Sequence, residues 1–183
     1  MNPIKPSADW QPLEAAFRQV FRSRSPFDNA FQERITHKLI VYPTAGMHLT
    51  EEQYAALVHA ARHVGDSTFY VSEIEMPSAF SEPYDPARPT HWLADVTCSY
   101  ATYGGTTIVL ENSLYSSMGK WGVLLSAEDH AIVGGSHAFI RAFQDAYPQW
   151  QAERSRFISY WQDYCRAKQV DTAWLSDYVS TLI

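Results

Sequence analysis

The sequence has only two cysteines, Cys98 and Cys165, and they form no C-x-x-C pair. Zinc knuckles and redox dithiols need closely spaced thiols, so neither is indicated. Two isolated thiols suit a reducing compartment, and we expect a cytoplasmic protein. The chain also lacks a run of about 18 apolar residues, so no membrane-spanning helix is predicted and we expect no membrane partner. The first nine residues carry no apolar segment after Lys5, so we expect no secretory signal.

Basic residues are also scarce in this chain. Its 183 residues include 14 Lys and Arg against 20 Asp and Glu, a formal net charge of −6. A nucleic-acid-binding surface needs a basic patch, so nucleic acid is not expected as a partner. An acidic balance instead favours solubility and attracts basic partners. The apolar fraction of 46% and the charged fraction of 19% are typical of a globular protein, and we expect one domain over residues 1–183.

The first half of the chain predicts two helices and two strands. Apolar residues from Leu13 to Phe21 recur at helical spacing behind Asp9, which can cap the helix. Residues 36–42, THKLIVY, predict a strand. Thr50 and Gln53 have the form of a capping box, which predicts a second helix to about His63. Residues 67–76 then predict another strand.

The middle of the chain predicts three strands, and the last third predicts three helices. The strands are residues 92–101, 106–112 and 120–126, joined by a hairpin at Gly104-Gly105 and a turn over residues 116–119. The helices begin at a Ser136 cap, near residue 151 and after Asp171. This order predicts an α+β fold, with a central antiparallel meander sheet packed by N-terminal helices and a C-terminal run of three helices.

A proline-rich segment, residues 77–91, is the predicted recognition loop. Long connections without secondary structure are uncommon in compact domains and are often functional. The residues predicted to bind lie in this loop and in the strand before it: Phe80, Glu82, Tyr84, Asp85, Glu73 and Glu75. Glu73 and Glu75 are two apart on a strand, so they are expected on one face, where like charges raise each other's pKa. Together these acids predict an acidic patch that fits a basic protein partner.

Residues 121–135, WGVLLSAEDHAIVGG, allow a chemical and a structural interpretation. In the first, Asp129 and His130 form an acid–base pair, and Ser126 or Cys98 supplies a nucleophile. In the second, Ser126-x-x-Asp129 caps a single helical turn after a strand, and a glycine pair gives backbone freedom before the next helix. No G-x-S-x-G signature surrounds either nucleophile, which favours the structural interpretation.

No metal site or cofactor is predicted. His59 and His63 have the spacing of two zinc ligands, but Ala60 replaces the glutamate of H-E-x-x-H. Aromatic residues crowd the C-terminal helices, and they are mainly expected in the core. Tyr160 and Tyr164 flank the apolar stripe, so they can remain exposed as part of an interface.

The segment from Trp121 to Phe143 resembles a pattern found in small bacterial proteins of uncharacterised function. The shared features are W-x(4)-S-x-E-D-H-x(3)-G-G and a following helix with Phe. The size, acidity and α+β composition of the chain are similar to those of immunity proteins that partner polymorphic toxins. The resemblance implies a bacterial protein-binding role and carries over no catalytic residue.

Three functional hypotheses follow from the sequence. The first is a non-catalytic, immunity-like protein that uses an acidic and aromatic surface to block a protein partner, such as a toxin with a basic surface. The second is a small hydrolase or transferase using Asp129 and His130 with Cys98 or Ser126. The third is a small-ligand-binding domain. The oligomeric state is not predicted.

Overall fold

A seven-stranded antiparallel sheet organises the chain, as seen in a computed structural model that describes residues 1–5, 10–75, 79–81 and 85–182. The strands are β1 (Asn2–Pro3), β2 (His37–Val41), β3 (Thr68–Glu73), β4 (His91–Asp95), β5 (Asn112–Ser116), β6 (Trp121–Leu125) and β7 (Ala131–Gly135). The helices are α1 (Trp10–Val20), α2 (Glu51–His63), α3 (Tyr100–Gly104), α4 (His137–Ala146), α5 (Trp150–Lys168) and α6 (Ala173–Ser180). The α+β class predicted from the sequence is therefore confirmed.

The strand order in the sheet is β1-β4-β3-β5-β6-β7-β2. Strands β5, β6 and β7 form a meander, and β2 returns from the N-terminal half to pair with β7. Strand β3 lies between β4 and β5 and pairs with both. Strands β4 and β5, which α3 joins along the chain, therefore do not pair with each other.

Helices cover both faces of this sheet. One core contains residues of α2, α3 and α4 together with Val123 and Val133, whereas Leu124 and Ile132 point into a second core with α1, α5 and α6. Every residue of β5, β6 and β7 is buried. Burial on both faces accounts for the continuous apolar sequence WGVLL in β6, whereas β5, NSLYS, buries polar residues that form hydrogen bonds such as that of Ser116 with Asp66.

Local capping signals place several helices as predicted. Thr50 and Gln53 form both hydrogen bonds of the capping box at the start of α2. The Ser136 hydroxyl accepts the N–H of Phe139 at 3.2 Å and begins α4. Such caps satisfy N–H groups that have no partner within the helix. Asp9, the predicted cap of α1, lies outside the described residues.

The predicted hairpin at Gly104-Gly105 is wrong, because this segment is the end of helix α3. Strand β4 stops at Asp95, whose carboxylate accepts the N–H of Thr97 at 2.7 Å, and Ser99 then caps the helix. The buried Tyr103 ring stacks on Tyr54 of α2 with centroids 4.5 Å apart. This packing against α2 holds the segment as a helix, and residues 106–111 are not a strand.

The glycine pair of the segment 121–135 lies in a strand, β7, that the sequence analysis missed. Neither glycine has a positive φ, so backbone freedom is not what they provide. A Cβ on Gly134 would lie 2.5 Å from the Phe31 ring, and one on Gly135 would lie 2.5 Å from the Phe139 ring. Glycine is required here because aromatic rings from both layers pack directly on the strand.

Candidate functional site

The turn between β6 and β7 lies at one end of the sheet. At this end β2, β3 and β6 finish and β5 and β7 begin, as the register pairs Val41 with Ala131 and Leu125 with Asn112 show. Four carboxylate residues are placed here by these strand ends and the segments that adjoin them. We call them the acidic end of the sheet: Glu75, Glu111, Glu128 and Asp129.

The β6–β7 turn is a closed loop held by backbone and serine hydrogen bonds. The Ser126 N–H donates to the His130 carbonyl at 2.9 Å, and the Ser126 hydroxyl accepts the Glu128 N–H at 3.2 Å. Asp129 is exposed, has a φ of 55°, and its carbonyl accepts the Thr44 N–H at 2.8 Å. The turn therefore joins two strands, and the predicted single helical turn before a helix is wrong.

Two of the carboxylates share the hydroxyl of Ser126. This hydroxyl lies 3.2 Å from Glu111 Oε1 and forms a short hydrogen bond with Glu128, so it can donate to either carboxylate. Burial raises the pKa of Glu111, and the charges of Glu128 and Glu75 raise it further, against hydrogen bonds from Ala127 and Ser126. Within the described part of the chain, none of the four acidic-end carboxylates forms an ion pair.

A row of three tyrosines, one half-buried and two exposed, begins beside the acidic end. Tyr42 follows β2, and its ring is 5.8 Å from that of Tyr160, which is in turn 6.3 Å from Tyr164. Tyr160 is 47% exposed and Tyr164 is 42% exposed. Burial raises the pKa of Tyr42, with additional contributions from Tyr160 and the Asp129 charge, against the charge of Arg156. The Asp129 carboxylate is thus close enough to couple the acidic end to this group, which we call the tyrosine surface: Tyr42, Tyr160 and Tyr164.

His130 is buried in the core and does not face solvent. Its ring lies 4.8 Å from Phe27 and 5.0 Å from Phe157 between centroids, and Nε2 is 3.5 Å from the Tyr178 hydroxyl. Burial lowers the pKa of His130 to about 4, against a smaller opposing effect of Glu128. The imidazole is therefore neutral at physiological pH and acts as a packing residue beneath α5 and α6.

The nucleophile candidates are not arranged around His130. Ser126 directs its hydroxyl to Glu111 and Glu128 instead of the imidazole. Cys98 follows the opposite end of β4, and strands of this length separate the two ends by roughly 14 Å. Among the described residues, Tyr178 is the side chain within hydrogen-bond distance of the ring. This geometry offers no support for the acid–base hypothesis.

The predicted binding residues separate into exposed and structural ones. Glu75 and Asp85 are exposed. Glu73 is buried, where it accepts the Val109 N–H at 2.8 Å and lies 3.6 Å from Arg88, so it does not share the surroundings of Glu75. Phe80 is also buried and stacks on the His91 ring at 5.2 Å, instead of being presented to a partner. Glu82 and Tyr84 lie outside the described residues.

Three residues of this region were not singled out from the sequence: Tyr42, Glu111 and Glu128. Glu111 and Glu128 are brought together by the Ser126 hydroxyl, whereas Tyr42 follows β2 at the same end of the sheet, and two strands separate β2 from β5. A partial signal was available for Tyr42, which directly follows the apolar end of β2, and for Glu111, which directly precedes β5. That signal places a residue at a strand end but does not say which strand ends are neighbours.

In the described residues there is no group of three or more His, Cys, Asp or Glu side chains arranged to hold a metal ion. No helix of the described chain combines the length and apolar character needed to cross a membrane. The chain has no significant match to a known protein-family model, to a curated protein or to a solved structure.

Proposed function

We propose that this protein is a non-catalytic, immunity-like binding protein whose acidic end and tyrosine surface cover a basic protein partner. The observation that carries the proposal is the cluster of Glu75, Glu111 and Glu128 at one end of the sheet, where Glu111 and Glu128 share the Ser126 hydroxyl and none of the three forms an ion pair within the described chain. Burial raises the pKa of Glu111, and the charges of Glu128 and Glu75 raise it further. Like charges held together without a cation cost stability. A basic partner would remove that cost on binding.

The tyrosine surface complements the charges in this proposal. Tyrosine is enriched in protein interfaces because it supplies contact area and a hydroxyl at a small loss of side-chain entropy. Carboxylates mainly accelerate encounter and select the partner, whereas buried aromatic contacts hold the complex. The resemblance to immunity proteins favours a toxin with a basic surface as the partner.

The test is capture of the tagged protein from native lysate, followed by native mass spectrometry of the intact eluate. We expect a stoichiometric second polypeptide that dissociates as salt is raised to about 0.5 M, where exposed charges are screened. Once identified, this polypeptide is expressed alone and together with the protein. Growth inhibition that co-expression relieves identifies a toxin.

A matched pair of variants locates the surface. Glu75→Gln/Glu128→Gln removes two charges from the acidic end, and Glu33→Gln/Asp95→Asn removes two exposed charges from elsewhere. Asp95 ends β4 and Glu33 precedes β2, both toward the opposite end of the sheet. We expect the first double variant to release the partner at lower salt and the second to behave as wild type. Equal retention by the two variants, or no retained polypeptide, would refute the proposal.

A further inference from the structure

A cavity of about 570 Å³ lies between α5 and α6, and its described lining shares no residue with the acidic end or the tyrosine surface. Its volume is in the range of pockets that bind small molecules. Apolar side chains contributed by both helices form much of the lining, among them Ile158, Leu175 and Val179. A ligand with an apolar body could bury that body against these groups.

One cation, Arg154, also lines this cavity. Its Nε is buried and has no hydrogen-bond partner, and the guanidinium forms no ion pair within the described part of the chain. A guanidinium carries five N–H donors in a planar arrangement that matches a carboxylate. Burying a donor without an acceptor costs free energy. An anion that accepts this hydrogen bond would remove the cost, so the site favours an anionic ligand.

The remaining polar lining supports the same ligand chemistry. Ser176 places a hydroxyl group on the α6 side of the cavity, whereas the Ser180 hydroxyl donates to the Asp177 carbonyl at 2.7 Å. Among the described residues, the lining includes no Asp or Glu side chain. One cation without a competing side-chain carboxylate in the described lining favours a ligand with a single negative charge. The apolar side chains select against small inorganic anions, which have no apolar body to bury.

We infer that the α5–α6 cavity binds a small organic monocarboxylate, with its carboxylate on Arg154 and its apolar body against Ile158, Leu175 and Val179. This site shares no residue with the acidic end, so the inference does not depend on the proposed function. The acidic end attracts cations, whereas this cavity takes an anion.

Isothermal titration of the full chain with octanoate at neutral pH tests the inference. We expect saturable one-to-one binding, with acetate and 1-octanol each binding at least about tenfold more weakly, because the first lacks the apolar body and the second lacks the charge. No saturable heat with octanoate, or equal binding of 1-octanol, would overturn the assignment.

Two variants and a control identify the site. Arg154→Gln is expected to weaken octanoate binding at least about tenfold, because it removes the charge-assisted hydrogen bonds. Arg166→Gln, at an exposed arginine on the same helix, is expected to leave the binding constant unchanged. Val179→Phe fills the cavity and is expected to abolish binding, so it decides the question even if Arg154→Gln fails to fold. Wild-type affinity in Val179→Phe would overturn the location.

Discussion

At the scale of single residues, the same side-chain types have opposite roles according to their burial. His130 and Asp129 are adjacent in sequence, yet the first is buried between aromatic rings and the second is exposed in a turn. A histidine next to an aspartate is a reasonable catalytic candidate when only the sequence is known. Its burial could not be predicted because it depends on the packing of α5, α6 and residues around Phe27, and the distance of Cys98 could not be predicted because it depends on where β4 lies in the sheet.

The neutral state of His130 predicts a pH dependence of stability. The unfolded chain binds a proton at this residue below about pH 6.5, whereas the folded chain does so only near pH 4, so stability falls as the pH drops between these values. The free energy of unfolding falls by roughly 3 kcal/mol, and the fall is complete once the pH is below the pKa of His130 in the folded protein. Urea unfolding of the wild type and of His130→Leu, at several pH values between neutral and about pH 4, measures this change in the free energy of unfolding.

The comparison with His130→Leu isolates this residue from carboxyl groups whose pKa is raised by burial, such as those of Glu111 and Glu153. Leucine places an apolar side chain among Phe27, Phe157 and Tyr178, and it cannot bind a proton. We expect the variant to lose less stability on acidification. Identical losses in the two proteins would show that His130 is already protonatable in the folded state.

At the scale of elements, the helices could be predicted better than the strands. Helices α2 and α4 begin at caps that involve residues three positions apart, and their apolar periodicity is local. The strand β7 was missed because its two glycines are typical of turns, although aromatic rings require them. The hairpin at Gly104 was wrong for the converse reason, since a local turn signal was overridden by packing of Tyr103 on Tyr54.

The close approach of aromatic rings to β7 predicts that Gly134→Ala is destabilising. The added methyl group would lie 2.5 Å from the Phe31 ring, so the ring or the strand must move. We expect a loss of about 1–3 kcal/mol in the free energy of unfolding, as for other overpacked cores. Chemical denaturation of the variant and wild type gives this difference.

Gly104→Ala is the matched control. A Cβ on Gly104 would be 3.5 Å from the Tyr100 ring, which is ordinary contact, and its position in α3 favours alanine. We expect this variant to be as stable as wild type or slightly more stable. Equal destabilisation at Gly104 and Gly134 would mean that close ring packing is not the reason for glycine in β7.

At the scale of the whole molecule, the net charge of −6 is unevenly distributed. Among the described residues, the carboxylates of the acidic end form no ion pair, and Arg154 in the α5–α6 cavity forms none either. Charge of one sign that is held together destabilises a folded protein, and binding sites commonly accept such a cost. The two surfaces therefore predict two kinds of ligand of opposite charge.

This distribution predicts that salt stabilises the free protein. Screening reduces repulsion at the acidic end, so the melting temperature is expected to rise between about 0.02 and 0.2 M NaCl. The rise is expected to be smaller in Glu75→Gln/Glu128→Gln than in Glu33→Gln/Asp95→Asn. Both double variants have the same net charge, so thermal unfolding of the pair reports the location of the charges. Equal rises in the two variants would contradict a concentrated repulsion.

The sequence by itself determined the α+β class, the capped helices α2 and α4, and the strands β2 and β6. These features depend on interactions between near neighbours, through hydrogen bonds at helix ends and apolar periodicity. Only the tertiary structure decided the strand order, the burial of both sheet faces and the meeting of Glu75, Glu111 and Glu128. Those features depend on contacts between residues far apart in the chain, whose geometry is set when helices from both ends of the sequence pack on the sheet.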